Sequence, residues 1–159
     1  MITLKKIRLS LPVLVIRKDM LKKAIEIAVE AHKDATDKYG SPYINHVTRV
    51  MNLGNTEEEK IVGVLHDVVE DTPWTFEQLA AEGFSSDIID ALTCVTKISE
   101  EEDYEEFTLR VSRNPLAVKV KINDLTDNMD IRRIPQLTEK DLTRLMKYHK
   151  AYRYLSSLV

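Results

Sequence analysis

Between residues 61 and 73 the chain reads Ile-Val-Gly-Val-Leu-His-Asp-Val-Val-Glu-Asp-Thr-Pro, an apolar run that carries His66, Asp67, Glu70 and Asp71. On a helix, His66 and Glu70 lie four apart, as do Asp67 and Asp71, so the polar groups share one broad stripe. Ile61, Val64, Leu65, Val68 and Val69 form an apolar face beside it. Pro73 stops such a helix near Asp71 or Thr72, because the residue before proline resists the α conformation. Carboxylates beside a core are costly unless something neutralises them, and a bound divalent cation is the simplest agent. A solvated acidic stripe on an amphipathic helix is the alternative.

The rest of the composition narrows the fold. A chain of 159 residues is long enough for one domain with a sizeable core. Its 43% hydrophobic and 31% charged residues argue for a globular domain over a disordered one. Only 4 Gly and 5 Pro favour helices over a turn-rich β architecture. A net charge of −3 gives no general attraction to nucleic acid or to anionic membranes. Cys94 is the single cysteine, so no internal disulfide can form; its neighbours Ile88, Ile89, Leu92 and Val95 suggest a buried structural thiol. No apolar run has the length of a membrane span, and residues 1–16 lack the features of a signal peptide. A cytoplasmic protein is the expectation.

Along the chain, residues 2–16 alternate partially between apolar and polar, so residues 1–18 are expected to form an extended arm or short strand ahead of a domain at 19–159. Asp19 is an expected N-cap for a helix through Leu21, Ala24, Ile25, Ala28, Val29 and His32. His32 then lies beside the buried stripe, where a core histidine with a hydrogen-bond partner is favoured over a metal ligand. Gly40-Ser41-Pro42 is a turn, with Pro42 suited to the first position of the next helix, on which His46 follows Tyr43. Thr56 with Glu59, Thr75 with Gln78, and Ser99 with Glu102 have capping-box spacing. Ser86 and Thr138 open further helices, the last with Leu142, Leu145, Met146, Tyr152 and Leu155 inward. Asp124, Asp127 and Asn128 fall on the inward stripe of a helix after Asn114-Pro115. About seven or eight helices with short connections result, a single all-α bundle.

Histidines and aspartates at the inner edges of successive helices form a mixed donor set. Imidazole with carboxylate suits Mn, Fe, Zn or Ni rather than Ca or Mg alone. With spare carboxylates nearby, such a site fits metal-assisted hydrolysis of a phosphate ester.

The order His46, His66-Asp67, Asp124 resembles the metal pattern of HD-domain phosphohydrolases. Four blocks more closely resemble the RelA/SpoT hydrolase branch and the small single-domain alarmone hydrolases. They are Tyr43-Ile44-Asn45-His46, Leu65-His66-Asp67-Val68-Val69-Glu70-Asp71-Thr72, Thr96-Lys97, and Val120-Lys121-Ile122-Asn123-Asp124 with Asn128-Met129. The resemblance implies an all-α HD domain with a Mn²⁺ ion on His46, His66, Asp67 and Asp124. It also implies removal of the 3′-pyrophosphate from guanosine tetra- or pentaphosphate, with Glu70 and Asp71 positioning and activating the attacking water. Asn128 matches a nucleotide-contacting asparagine and Lys38 a phosphate-facing lysine.

The chain departs from that pattern at defined places. Where the family usually reads Ala-His-x-Gly-Gln-x-Arg-Lys, here stands Ala31-His32-Lys33-Asp34-Ala35-Thr36-Asp37-Lys38, so the arginine expected to stack on guanine is Asp37. The proline usual after the metal histidine is Val47. Asp-Arg-Leu-His-Asn-Met has become Asp124-Leu125-Thr126-Asp127-Asn128-Met129, and Ile131 replaces a usual threonine. Acids in place of cations predict weaker binding of a highly charged substrate. The expectation is a phosphohydrolase acting on a nucleotide phosphate or pyrophosphate ester, with a nucleotide-sensing module of little catalysis as the alternative. No nucleic-acid partner is expected: Lys119, Lys121, Arg132 and Arg133 make only a modest basic cluster. Nothing in the residues fixes an oligomeric state.

Overall fold

The computed structural model describes the backbone of residues 10–159 and the side chains from residue 20 onward. Nine α-helices make up these residues: α1 Ser10–Ala31, α2 Ile44–Leu53, α3 Glu57–Leu65, α4 Val68–Asp71, α5 Phe76–Ala81, α6 Ser86–Val95, α7 Tyr104–Val111, α8 Pro115–Asn128 and α9 Glu139–Ser156. A 3₁₀ turn, Ile131–Arg133, links α8 to α9. An isolated bridge between Thr36 and Pro42 is the only extended pairing among the described residues. The all-α bundle read from the sequence is the architecture that forms. None of the described helices is long and apolar enough to cross a membrane.

The expected extended arm is corrected from residue 10 onward, where the backbone is already helical and Asp19 lies inside α1 instead of capping it. Pro12, which weakens a strand, falls in the first helical turn, where a missing N–H costs no helical bond. Residues 1–9 of that arm lie outside the described residues.

Helix starts are set largely by side-chain caps. Thr75 and Gln78 form the full reciprocal box on α5, and Thr138 with Asp141 does the same on α9. Asn114 caps α8 with Pro115 at its first turn. Thr56 caps α3 through the Glu59 N–H, but the Glu59 carboxylate accepts from the Asn55 N–H at 2.7 Å and from Lys119 Nζ at 3.0 Å. That buried acid therefore ties the start of α3 to α8. α6 opens at Ser86 as expected, with Ser85 as its cap, whereas the cap of α7 is Asp103 rather than Ser99. Glu102 instead pairs with Arg110. Pro42 is held in the bridge to Thr36, so Tyr43 precedes α2.

α3 is the axis of the bundle, packed by α1, α2, α6 and α8. Ile61, Val62, Gly63, Val64 and Leu65 are all buried, so α3 is covered on every side, unlike the one-sided stripe the sequence suggested. α9 also differs from expectation: Leu142 is 51% and Met146 75% exposed. Asp141 is buried at the start of this helix, and at about 100° per residue its inward placement turns Leu142 and Met146 to solvent. Ala151 and Leu155 anchor the far end.

Gly63 sets how closely α2 approaches α3. A Cβ there would lie 3.2 Å from both the N and Cα of Met51, which are backbone atoms that cannot swing aside. Gly63→Ala should therefore destabilise the fold by about 1–3 kcal/mol through overpacking. Urea unfolding should show a lower midpoint at unchanged slope.

Candidate metal centre

α3 ends at Leu65, and the chain turns at His66 and Asp67 before α4 begins. Asp67 has φ −101° and ψ −2°, at the edge of the helical region. Neighbours on an unbroken helix point about 100° apart, and the turn lets both side chains face α8. His46 enters from the first turn of α2 and Asp124 from the middle of α8. His46 Nε2 lies 3.5 Å from Asp67 Oδ2 and 3.2 Å from Asp124 Oδ1; His66 Nε2 lies 3.0 Å and 3.4 Å from the same two oxygens.

These separations fit a cation. Metal–ligand bonds of about 2.0–2.2 Å put adjacent ligand atoms roughly 3 Å apart. The tautomers fit as well. His66 Nδ1 lies 2.7 Å from the Gly63 carbonyl, which can only accept, so Nδ1 carries a hydrogen and Nε2 is the atom turned to the centre. That buried Nε2 has no hydrogen-bond partner among the described residues. His46 Nδ1 lies 2.6 Å from Asp127 Oδ2 and turns its own Nε2 inward in the same way. Two imidazole nitrogens and two carboxylates facing one point call for positive charge there, supplied by protons on the imidazoles or by a cation.

The titration of the centre says the same. Burial pulls His46 down, but its hydrogen bonds to Asp124, Asp127 and Asp67 outweigh this and raise it to about 11. His66, also opposed by burial, is raised to about 10 by the charge of Asp67 and by Asp124. Asp67 and Asp124 are held well below the usual carboxylate range against the pull of burial, chiefly by His66 and Lys121 respectively.

Further bonds fix the two carboxylates of the centre. Tyr43 Oη donates to Asp67 Oδ2 at 2.6 Å, Lys121 Nζ to Asp124 Oδ2 at 2.7 Å, and Asn128 Nδ2 to Asp124 Oδ1 at 2.6 Å. The roles of Tyr43 and Lys121 do not stand out from the sequence, although each lies three residues before a ligand on the same helix or its edge. Asp127 accepts from His46 and from Arg49 and Arg133, and is lowered to about 2 although burial opposes this. The basic cluster expected at 119–133 does not form one surface: Lys119 pairs with Glu59, Lys121 with Asp124, and Arg132 with Asp130.

Glu70 and Asp71 sit on α4 at the solvent-exposed mouth of the centre and are not in the four-atom set. Glu70 Oε2 accepts from the Lys97 N–H at 2.9 Å, which is where the Thr96-Lys97 block joins the site. Crowding by protein raises Glu70, and it raises Asp71 to about 6 with help from the negative charges of Asp67 and Glu70. A recess of about 620 Å³ opens beside them, lined by Thr96, Lys97 and Arg110 among others. A second cavity of about 230 Å³ opens at Tyr43 and Asn128 and is walled by Lys38, Arg133, Arg144 and Tyr148. Lys38 Nζ lies 2.5 Å from Asp141 Oδ1 and is partly exposed to this cavity.

His32 is not among the ligand atoms. It is buried with neither ring nitrogen partnered among the described residues, 5.0 Å from the Tyr43 ring, and burial lowers its pKa so that it stays neutral. It is a core histidine, without the hydrogen-bond partner expected of one. Cys94 is half-buried and burial raises its thiol, in keeping with a structural role.

No family model matches the chain. It is 31% identical over 120 residues to the guanosine-3′,5′-bis(diphosphate) 3′-pyrophosphohydrolase of Aquifex aeolicus, covering 69% of this chain and 17% of that protein. With the enzyme of the same name from Haemophilus influenzae it shares 33% over 116 residues, 65% of this chain and 17% of that one. A GTP pyrophosphokinase of Myxococcus xanthus is 28% identical over 144 residues, 80% of this chain and 19% of its own. The solved structure of a metazoan orthologue of SpoT, described as hydrolysing ppGpp, superposes with a TM-score of 0.72 at 22% identity over 86% of this chain and 84% of that one. The chain thus spans about one sixth of the first two relatives' length and most of the solved domain. It is an HD-type domain, and it belongs with the RelA/SpoT hydrolase-like domains.

A nitrogen that binds an ion must give up any proton it holds, and Asp67 and Asp124 favour protons on His46 and His66, so loading a divalent ion at pH 7 should release protons. Affinity should therefore fall as pH falls. Calorimetric titration with Mn²⁺ and Zn²⁺ in buffers of different ionisation enthalpy measures this, and Asp67→Asn should remove the binding.

Proposed function

We propose that this chain is a Mn²⁺-dependent phosphohydrolase that removes the 3′-pyrophosphate of guanosine 3′,5′-bis(diphosphate) or of a closely similar nucleotide. One observation carries the reading: two carboxylates that are not ligands, Glu70 and Asp71, stand beside a four-ligand mixed donor set, with Asp71 raised to about 6. Ligands alone would suffice for a bound ion; the extra acids suit proton transfer. The names of the relatives point to the same substrate.

His46, His66, Asp67 and Asp124 would hold the ion, which polarises a phosphoryl oxygen and acidifies water. The remaining work falls to this chain's own groups. Glu70, fixed by the Lys97 N–H, orients the attacking water. Asp71 takes its proton, a transfer suited to a carboxyl group whose pKa is near the working pH. Water oxygen bonds to phosphorus, the bond from phosphorus to the ribose 3′ oxygen breaks, and that oxygen receives the proton. Tyr43, Lys121 and Asn128 keep the two ligand carboxylates in place.

The sensor alternative rests on acids at 37 and 127 repelling an anionic substrate. Both are ion-paired with arginine, so that argument loses its basis.

Phosphate and pyrophosphate release from a nucleotide panel by Mn²⁺-loaded protein is the test. Glu70→Gln and Asp71→Asn should each lower kcat by about 10²–10⁴-fold while Mn²⁺ binding persists. Unaltered turnover in both variants would remove the assigned roles.

A further inference from the structure

The acids at positions 37 and 127, which the sequence marks as departures, meet on one guanidinium. Arg133 Nη2 donates to Asp37 Oδ2 at 3.1 Å, and Nη1 donates to Asp127 Oδ2 at 2.5 Å and to the Asp127 carbonyl at 2.9 Å. Asp37 lines the cavity, and both carboxylates are engaged by other groups. Asp37 Oδ1 accepts from the Tyr39 N–H at 2.9 Å and the Ser41 N–H at 3.0 Å. Asp127 Oδ1 is taken by Arg49 Nε and its Oδ2 also by His46 Nδ1.

Arg133 therefore stands as a fixed wall of the smaller cavity, its side chain 21% exposed. That cavity begins at Tyr43 and Asn128, which hold metal ligands, so a substrate reacting at the metal would extend past them toward Arg133. The bonds above leave Nε–H without a partner among the described residues, on the edge where Nε and Nη2 form a fork. Such a fork matches two oxygens of a phosphate. The other cations on that wall, Lys38 and Arg144, share a single acid, Asp141, while the lining acids Asp37 and Asp130 are each paired with an arginine.

We propose that Arg133 is the specificity residue that receives the nucleotide's phosphate remote from the metal, and that Asp37 positions it. The inference rests on the phosphohydrolase reading and supplies the part of the substrate site that the sequence appeared to have lost. Asp37 then acts as a brace from the 37–41 turn.

The test uses Mn²⁺-loaded protein in the Asp71→Asn background, with calorimetric binding of guanosine 3′,5′-bis(diphosphate) and of guanosine 3′-diphosphate, which lacks the 5′ group. Arg133→Ala should weaken the first about 10–100-fold, as expected for a lost charged hydrogen bond, and leave the second unchanged. Asp37→Asn keeps the acceptor for Tyr39 and Ser41; it should weaken the first nucleotide alone and add nothing once Arg133 is Ala. Arg133→Gln, which retains a donor for the two acids, serves if the alanine variant does not fold. Equal loss for both nucleotides, or no loss, overturns the inference. If the protein with Asp71 intact hydrolyses the bis(diphosphate) while Arg133→Ala binds it unchanged, only this inference fails. Failure to bind either nucleotide with Mn²⁺ in place overturns it together with the proposed function.

Discussion

Neutralisation of three inward-facing aspartates is the condition on which this bundle depends. Asp67, Asp124 and Asp127 gather where the turn after α3 meets α2 and α8, and an unpaired charge in such a place would be strongly destabilising. Each has its own partners: Tyr43 and the histidines for Asp67, Lys121 and Asn128 for Asp124, Arg49, Arg133 and His46 for Asp127. The same bonds that make the acids tolerable fix the helices at a spacing where donor atoms of His46, His66, Asp67 and Asp124 converge. A dication would balance the charges of Asp67 and Asp124 and displace the protons that the imidazoles otherwise keep.

Much of this was legible in the sequence, for identifiable reasons. Gly, Pro and cap residues punctuate the chain clearly, so helix existence followed from local chemistry. His46, His66, Asp67 and Asp124 were legible as a motif, and the fold does bring their donor atoms together. The break at His66-Asp67 was not, since apolar residues continue on both sides and no Gly or Pro marks the turn. Leu142 and Met146 misled because helical spacing shows a face without saying which way it points. That is decided by Asp141, whose partner Lys38 lies 103 positions away. Long-range ion pairs of this kind leave no trace in local spacing.

The position-by-position comparison with the family pattern was similarly partial. Read singly, Asp37 and Asp127 look like losses of positive charge at an anion site. In three dimensions they form one unit with Arg133, which the pattern gives no reason to single out. A substitution that reverses charge can be answered by a residue far along the chain, and the net field at the site then differs little.

Asp141 does two jobs, capping α9 while gripping Lys38 and Arg144, and so the beginning and end of the domain are stapled across the cavity. This gives the domain a direction in time. During synthesis His46, His66 and Asp67 emerge well before Asp124, and the ion pair of Lys38 waits until residue 141 has followed. Such distant contacts form late and must await chain closure. A partly translated chain would thus carry His46, His66 and Asp67 with no assembled centre until α8 brings Asp124 to them.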